Sequence, residues 1–316
     1  MPNPSKKYRK KIADKQWFQR LEEKSKTILI PGFDHVPLYN VIEFFLKGIT
    51  KGSLNTRASA IAFKALLAII PSILIFFTII PYIPIDGIHD TLMEMIREFM
   101  PPIAYKATEE TITDIINHKR GGLLSIGALL ALYFATNGIT TIIDAFNNTI
   151  HINEKRSFIK RRITAVLLVF ISSLILIIAI ALLTFGTELL HFLVQKEIIK
   201  QGLELTAIET GKWIISIGMI FFLISFLYYM APSKKFKFRI ISAGSTLATF
   251  FSVIATLLFK IFINNFGQYN ALYGSIGTLI VIMLFIYFNA LILLVGFELN
   301  ASIRYASLNQ YRVKKQ

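Results

Sequence analysis

Residues 55–77 read NTRASAIAFKALLAIIPSILIFF, and this stretch decides the class of fold. It is almost wholly apolar and long enough to cross, as a helix, a hydrocarbon core roughly 30 Å thick. It nevertheless carries Arg57 at its start, Lys64 inside it and Pro71 near its middle. Charges and a helix breaker are costly in lipid, so these residues either serve a function or belong to tolerated parts of the helix.

Apolar segments of similar length recur along the chain, of which 54% is hydrophobic, with a mean hydropathy of +0.58. A backbone in lipid must satisfy its own hydrogen bonds, and the segments lack the alternation of strands, so we expect helices. The sequence predicts an all-α integral membrane protein with six transmembrane helices. The predicted spans are 58–80, 122–143, 163–185, 213–231, 241–263 and 276–299.

Basic residues alternate from one side of the predicted spans to the other. Residues 1–57 hold twelve Lys and Arg and five acidic residues, whereas 81–120 hold four and seven. Residues 232–240 hold four basic residues and no acid, and 264–275 hold no charge. Because positive charge marks the cytoplasmic side, we expect both termini to be cytoplasmic. Topology and anionic lipid headgroups then account for the net charge of +15 without a nucleic-acid partner.

The chain divides into a basic cytoplasmic tail (1–36), a membrane domain (37–305) and a short basic tail (306–316). Residues 37–50, PLYNVIEFFLKGIT, have helical apolar spacing and predict an interfacial amphipathic helix; the alternative is a plain connector. Residues 86–118 predict an extracytoplasmic helical hairpin that could bind a protein partner. The uncharged segment 264–275 fits a re-entrant or interfacial loop. Since no cleavable signal follows Met1, the first span is expected to direct insertion.

Polar residues inside the predicted spans are the candidates for function. One hypothesis is a polar cleft, open to the cytoplasm, between the first, second and sixth spans, in which a basic residue pairs with an acidic one. The alternative is that the charges lie at helix ends in headgroup water while the asparagines bond between helices. The candidate residues are Arg57, Lys64, Asn137, Asp144, Asn289 and Glu298, with Pro71 as a predicted kink.

Enzyme chemistry has little support in the sequence. The chain has no cysteine, and its five histidines are spread over four segments. HExxH, G-x-S-x-G and phosphate-binding glycine motifs do not occur. We therefore predict no catalytic residue, no metal site and no cofactor.

Three stretches together resemble the YihY/virulence factor BrkB family. They are RASAIAFKALLAIIP (57–71), TNGITTIIDAFNNTIHINEKRSFIKRR (136–162) and YGSIGTLIVIMLFIYFNALILLVGFELNASI (273–303). One departure is Lys64, where the family pattern has an aromatic residue after Phe63. The resemblance implies an inner-membrane protein of unsettled activity, in a family that carries an old ribonuclease label.

Two functions follow as hypotheses. One is transport or lipid handling through the cytoplasm-facing polar cleft. The other is a structural or envelope-assembly role without transport, exerted through a partner at the outer hairpin. Substrate, energy source and oligomeric state leave no signature in the sequence.

Overall fold

The computed structural model describes residues 28, 32–34, 36–51, 53–82, 93–94, 109–110, 112–115, 118–149, 152–153, 157–196, 203–233, 241–264 and 267–313. Most of the predicted basic tail (1–36), most of the predicted outer hairpin (86–118) and the basic loop 234–240 lie outside these residues.

The described chain is almost entirely helical. Its helices are α1 (Leu38–Lys51), α2 (Leu54–Ile79), α3 (Gly121–Asn147), α4 (Phe158–Gln195), α5 (Leu203–Met230), α6 (Ala243–Asn264) and α7 (Gly267–Val313). A 3₁₀ turn, Ile80–Tyr82, follows α2, and a short antiparallel hairpin, β1 (Asn148–Thr149) and β2 (Ile152–Asn153), joins α3 to α4. Helices α2 to α7 each contain a stretch long and apolar enough to cross a membrane. The prediction of an all-α membrane protein with six spans is confirmed.

Two boundaries differ from the sequence prediction. Residues 267–275, predicted as part of a loop, form the first turns of α7, because no proline interrupts the chain between 267 and 313. The same helix passes the predicted domain boundary at 305 and continues to Val313. Helix α2 also runs through Pro71 without ending.

The six membrane helices form a ring of neighbours. Helix α2 contacts α3, α3 contacts α4, and the contacts continue through α5 and α6 to α7, which returns to α2. Sequential neighbours run antiparallel: Arg57 at the start of α2 lies beside Ala145 at the end of α3, and Leu74 lies beside Gly127. Helix α1 packs outside the ring, on the last part of α7, through Val41 and its neighbours.

The ring is tightly packed at one end, which we call the closed end. It comprises the starts of α2, α4 and α6, the ends of α3 and α5, and residues 290–301 of α7. One buried apolar cluster there draws on all six helices, including Ala58, Phe146, Leu168, Tyr228, Ala248 and Phe297. In the predicted orientation the closed end is cytoplasmic.

One face of α3 changes from buried to exposed along its length. Toward the closed end, this face carries three buried residues spaced seven and four positions apart along the helix: Thr136, Ile143 and Asn147. Leu129 and Leu132 continue the same face away from that end and are 70% and 37% exposed. The face of α3 that is packed inside the ring at the closed end is therefore exposed at the height of Leu129 and Leu132.

Candidate functional site

Arg57 lies at the closed end and ties α2 to α3. Its Nη1 donates to the carbonyl of Ala145, 2.7 Å away, in the last turn of α3. The carbonyls of a last helical turn lack partners within the helix, so Arg57 satisfies one of them. Its Nε and Nη2 are buried, and within the described residues neither has a hydrogen-bond partner. Arg57 therefore keeps hydrogen-bonding capacity inside the protein.

Glu298 lies opposite Arg57, on α7, and its side chain is only 1% exposed. The two side chains, both within the described residues, face each other across α2 and α7, but no nitrogen of Arg57 lies within 4 Å of a carboxylate oxygen of Glu298. Helix α1 covers the carboxyl group at Gly48, where an added Cβ would lie 2.6 Å from Cδ of Glu298. Glycine at position 48 is thus what lets α1 lie directly over the buried acid.

A second polar cluster joins α3 to α4. Nη1 of Arg161 contacts both carboxylate oxygens of Asp144, at 2.8 and 3.0 Å. Nη1 of Arg162 donates to Oδ1 of Asn137 at 2.6 Å, and its guanidinium lies 5.5 Å from the ring centroid of Tyr133. The hairpin of β1 and β2 reverses the chain and brings the start of α4 beside the end of α3.

Aromatic residues fill the space behind these charges. Phe146 stacks on Phe297 with centroids 4.1 Å apart, and Tyr228 meets both rings edge-on. The Tyr228 hydroxyl donates to the carbonyl of Leu293 at 2.6 Å. Oδ1 of Asn147 accepts from the backbone N–H of Ser233 at 2.7 Å and ties α3 to the end of α5. These contacts seal the interior at this end.

Small residues bring α6 and α7 together at the same end. An added Cβ at Gly296 would lie 2.6 Å from the carbonyl oxygen of Gly244 and 2.8 Å from Cβ of Ala248. The side chain of Asn300 accepts from the N–H of Gly244 at 2.8 Å, which satisfies a donor in the first turn of α6. Such close backbone approach is typical of small residues at membrane helix interfaces.

The six residues predicted from the sequence make separate contacts among the described residues, and the cleft that they were predicted to line stays a prediction. Arg57 faces Glu298, whereas Asp144 and Asn137 contact α4 instead of α2 or α7. In the described residues of the closed end, these side chains bond to neighbouring helices, and α1 covers Glu298.

The remaining predicted residues have local roles. Asn289 donates to the carbonyl of Phe285 in its own helix at 2.9 Å. Lys64 is half-buried, and its backbone carbonyl faces Gly138 of α3. Within the described part of the chain its amine has no hydrogen bond or ion pair.

Sequence reasoning missed Arg161, Arg162 and Gly48. In the sequence, the run RSFIKRR (156–162) served only as part of the family resemblance. The signal for the α3–α4 cluster is a pair of arginines, Arg161 and Arg162, that follow shortly after the polar face of α3 in the sequence. Among the described residues, no group of three His, Asp or Glu side chains is arranged to hold a metal ion.

Comparison with known proteins agrees with this architecture. The chain is 30% identical over 247 residues to a Bacillus subtilis (strain 168) protein named "Putative ribonuclease-like protein YfkH", covering 78% of this chain and 89% of that one. It is 25% identical over 270 residues to a UPF0761 membrane protein of Haemophilus influenzae (strain 86-028NP), covering 85% and 96%. No solved structure matches the chain significantly. The sequence profile of the family described as Virulence factor BrkB matches residues 45–316, and this polytopic membrane protein therefore belongs to that family.

Proposed function

We propose that the protein translocates or handles a membrane lipid, or a comparable small amphipathic molecule, through the interior of its helix ring. The observation that carries the proposal is the change along one face of α3, buried at Thr136 and Ile143 and exposed at Leu129 and Leu132. We infer from this change that the interior is packed at one end and unfilled at the other, the arrangement expected of a transporter closed on one side. In the predicted orientation, the sealed side is cytoplasmic.

The polar groups of the closed end would act as its gate. Buried charge is costly in a membrane protein and is retained where it serves a pathway. Arg57 on α2 faces Glu298 on α7, and Gly48 lets α1 lie over Glu298. The cytoplasm-facing cleft predicted from the sequence would then form when α1 and α3 move away from α7. Arg57 and Glu298 would line it, and Lys64 would lie about two helical turns deeper than Arg57.

The apolar surface of α6 favours a lipid over an ion or a sugar as the transported molecule. Away from the closed end, apolar side chains are exposed around much of α6, including Leu257, Leu258 and Ile261. Helices that are apolar all round contact hydrocarbon rather than water. A polar headgroup could be held inside the ring while its acyl chains extend between α6 and its neighbours.

Replacing Leu132 with tryptophan tests this route. The protein is reconstituted in vesicles that contain fluorescently labelled phosphatidylglycerol, and dithionite measures how fast the label reaches the outer leaflet. Wild-type protein should make the inner-leaflet label reachable, unlike empty vesicles. Leu132→Trp places a larger side chain in the unfilled region and should lower the rate roughly tenfold. This loss corresponds to an added barrier of about 1.4 kcal/mol.

Leu130→Trp is the matched control. Leu130 lies two residues from Leu132 on α3 and therefore on nearly the opposite side of the helix, between its contacts with α2 and with α4. The two side chains are exposed to a similar degree. The Leu130→Trp variant should translocate lipid at the wild-type rate. Lipid movement no faster than in empty vesicles, or the same loss in both variants, would refute the proposed route.

A further inference from the structure

Arg161 and Arg162 are adjacent in α4 but differ in their electrostatic surroundings. Arg161 is neutralised by Asp144 in an ion pair of 2.8 Å. Arg162 bonds only to the neutral amide oxygen of Asn137 and lies over the ring of Tyr133. Within the described residues, no carboxylate is within ion-pair distance of Arg162. Counted over the described residues, the α3–α4 cluster therefore carries one more positive than negative charge inside a candidate membrane span.

The guanidinium of Arg162 also extends along α3 toward the middle of that helix. Asn137 lies ten residues before the end of α3, about 15 Å along the helix, whereas Asp144 lies about 5 Å from that end. An arginine near the end of a span normally extends toward the headgroups. Arg162 instead extends toward the centre of the span and donates to Asn137, so simple solvation at the membrane surface does not explain its position.

The groove that holds Arg162 opens onto the lipid side of the ring. On α4, Arg162 stands about 100° from the packed face that carries Ala165 and Leu168. Its flanking residues Phe158 and Ile159 are 72% and 69% exposed. Exposed apolar side chains at the start of a span contact lipid, so a molecule reaching Arg162 along this surface comes from the bilayer.

We propose that the groove between α3 and α4 binds the phosphate group of an anionic phospholipid. Arg162 keeps free donors beside its bond to Asn137, and a guanidinium fits phosphate oxygens in a two-pronged arrangement. Tyr133 lies against the guanidinium and offers a ring edge to the glycerol region. The net positive charge of the cluster selects a lipid with a net negative charge over a zwitterionic one. This site does not depend on the proposed translocation, because the lipid bound there contacts the outer surface of the ring.

Native mass spectrometry of delipidated protein with added phosphatidylglycerol tests the site. Wild-type protein should retain one bound phosphatidylglycerol and show no comparable retention of phosphatidylethanolamine. Arg162→Gln removes the charge and should lower the apparent affinity about tenfold or more, the value of a charged hydrogen bond. Asn137→Ala, which leaves the charge but loosens its position, should lower it less.

Lys160→Gln is the matched control, since Lys160 is exposed on the same helical turn about 160° around α4 from Arg162. It removes the same charge and should leave retention unchanged. Equal losses in the Arg162 and Lys160 variants would mean general attraction to the basic surface and overturn the site. Equal retention of phosphatidylethanolamine, or inorganic phosphate displacing the lipid at low millimolar concentration, would overturn its assignment to an anionic lipid.

Discussion

Arg57→Ala is expected to lower the free energy of unfolding by about 1.5 to 3 kcal/mol, the range for a hydrogen bond made by a charged group. The substitution leaves the carbonyl of Ala145 without its donor and leaves Glu298 buried without the nearby cation. The lower end of the range applies because Arg57 is itself only half-buried. Unfolding in mixed micelles, followed by circular dichroism, measures the change.

Lys64→Ala is the control for this effect. Lys64 is also a half-buried cation on the α3-facing side of α2, but within the described residues its amine has no hydrogen bond or ion pair. Its replacement should change the free energy by no more than about 0.5 kcal/mol. Glu298→Gln combined with Arg57→Ala completes a double-mutant cycle, and additive effects would show that the two residues do not interact.

Gly296→Ala is expected to destabilise the protein by about 3 kcal/mol, the upper part of the range for overpacking. The added methyl group would lie 2.5 Å from the Tyr228 hydroxyl, 2.6 Å from the carbonyl of Gly244 and 2.8 Å from Cβ of Ala248. The last two atoms belong to the backbone or are fixed to it, so no side-chain rotation relieves the overlap. Helices α6 and α7 must separate, and the yield of folded protein in detergent should fall with the stability.

Gly218→Ala, in the neighbouring helix α5, is not expected to destabilise the protein. A Cβ at Gly218 of α5 would meet no atom within 4 Å. Alanine is the better helix former, so this change should be neutral or stabilise by up to about 1 kcal/mol. If both glycine variants had the same melting temperature, the close approach of α6 to α7 would not contribute to stability.

The sequence predicts the helical architecture well because hydropathy and length decide which segments cross a bilayer. The six predicted spans fall within the six candidate spans of the structure or differ from them by a few residues at the ends. The prediction of a loop at 264–275 is wrong, since a helix begins at Gly267. Asn, Gly and Tyr are typical of turns but do not by themselves stop a helix. Nothing after Gly267 forces the helix to end, so α7 extends from there.

Partners of charged side chains were harder to predict, since they depend on how the ring closes. Hydropathy predicts that Arg57 and Glu298 lie near the same end of the protein, but not that Asp144 faces α4. That pairing follows from the β1–β2 hairpin, which places Arg161 beside Asp144. The role of Gly48 was equally hidden, because it depends on α1 lying on α7.

Lys64 remains the departure from the family pattern without an explanation in its contacts. It lies on the face of α2 that meets α3, near Gly138. In the proposed opened state it would be reached from the cytoplasm after Arg57, so its contribution would show in translocation and not in stability. This expectation separates it from Arg57, whose contacts predict an effect on stability.

The central claim is that the interior is sealed at the closed end and reached by water from the other side. Because the chain contains no cysteine, single cysteines can be introduced without removing others. Leu132→Cys and Ile143→Cys place a thiol on the same face of α3, at an exposed and at a fully buried position. A membrane-impermeant thiol reagent is applied to intact cells and to inverted vesicles. Labelling of the Leu132 variant from the cell exterior, with the Ile143 variant unlabelled from both sides, is the predicted result; labelling of the Ile143 variant from the cytoplasmic side with the Leu132 variant unreactive would contradict it.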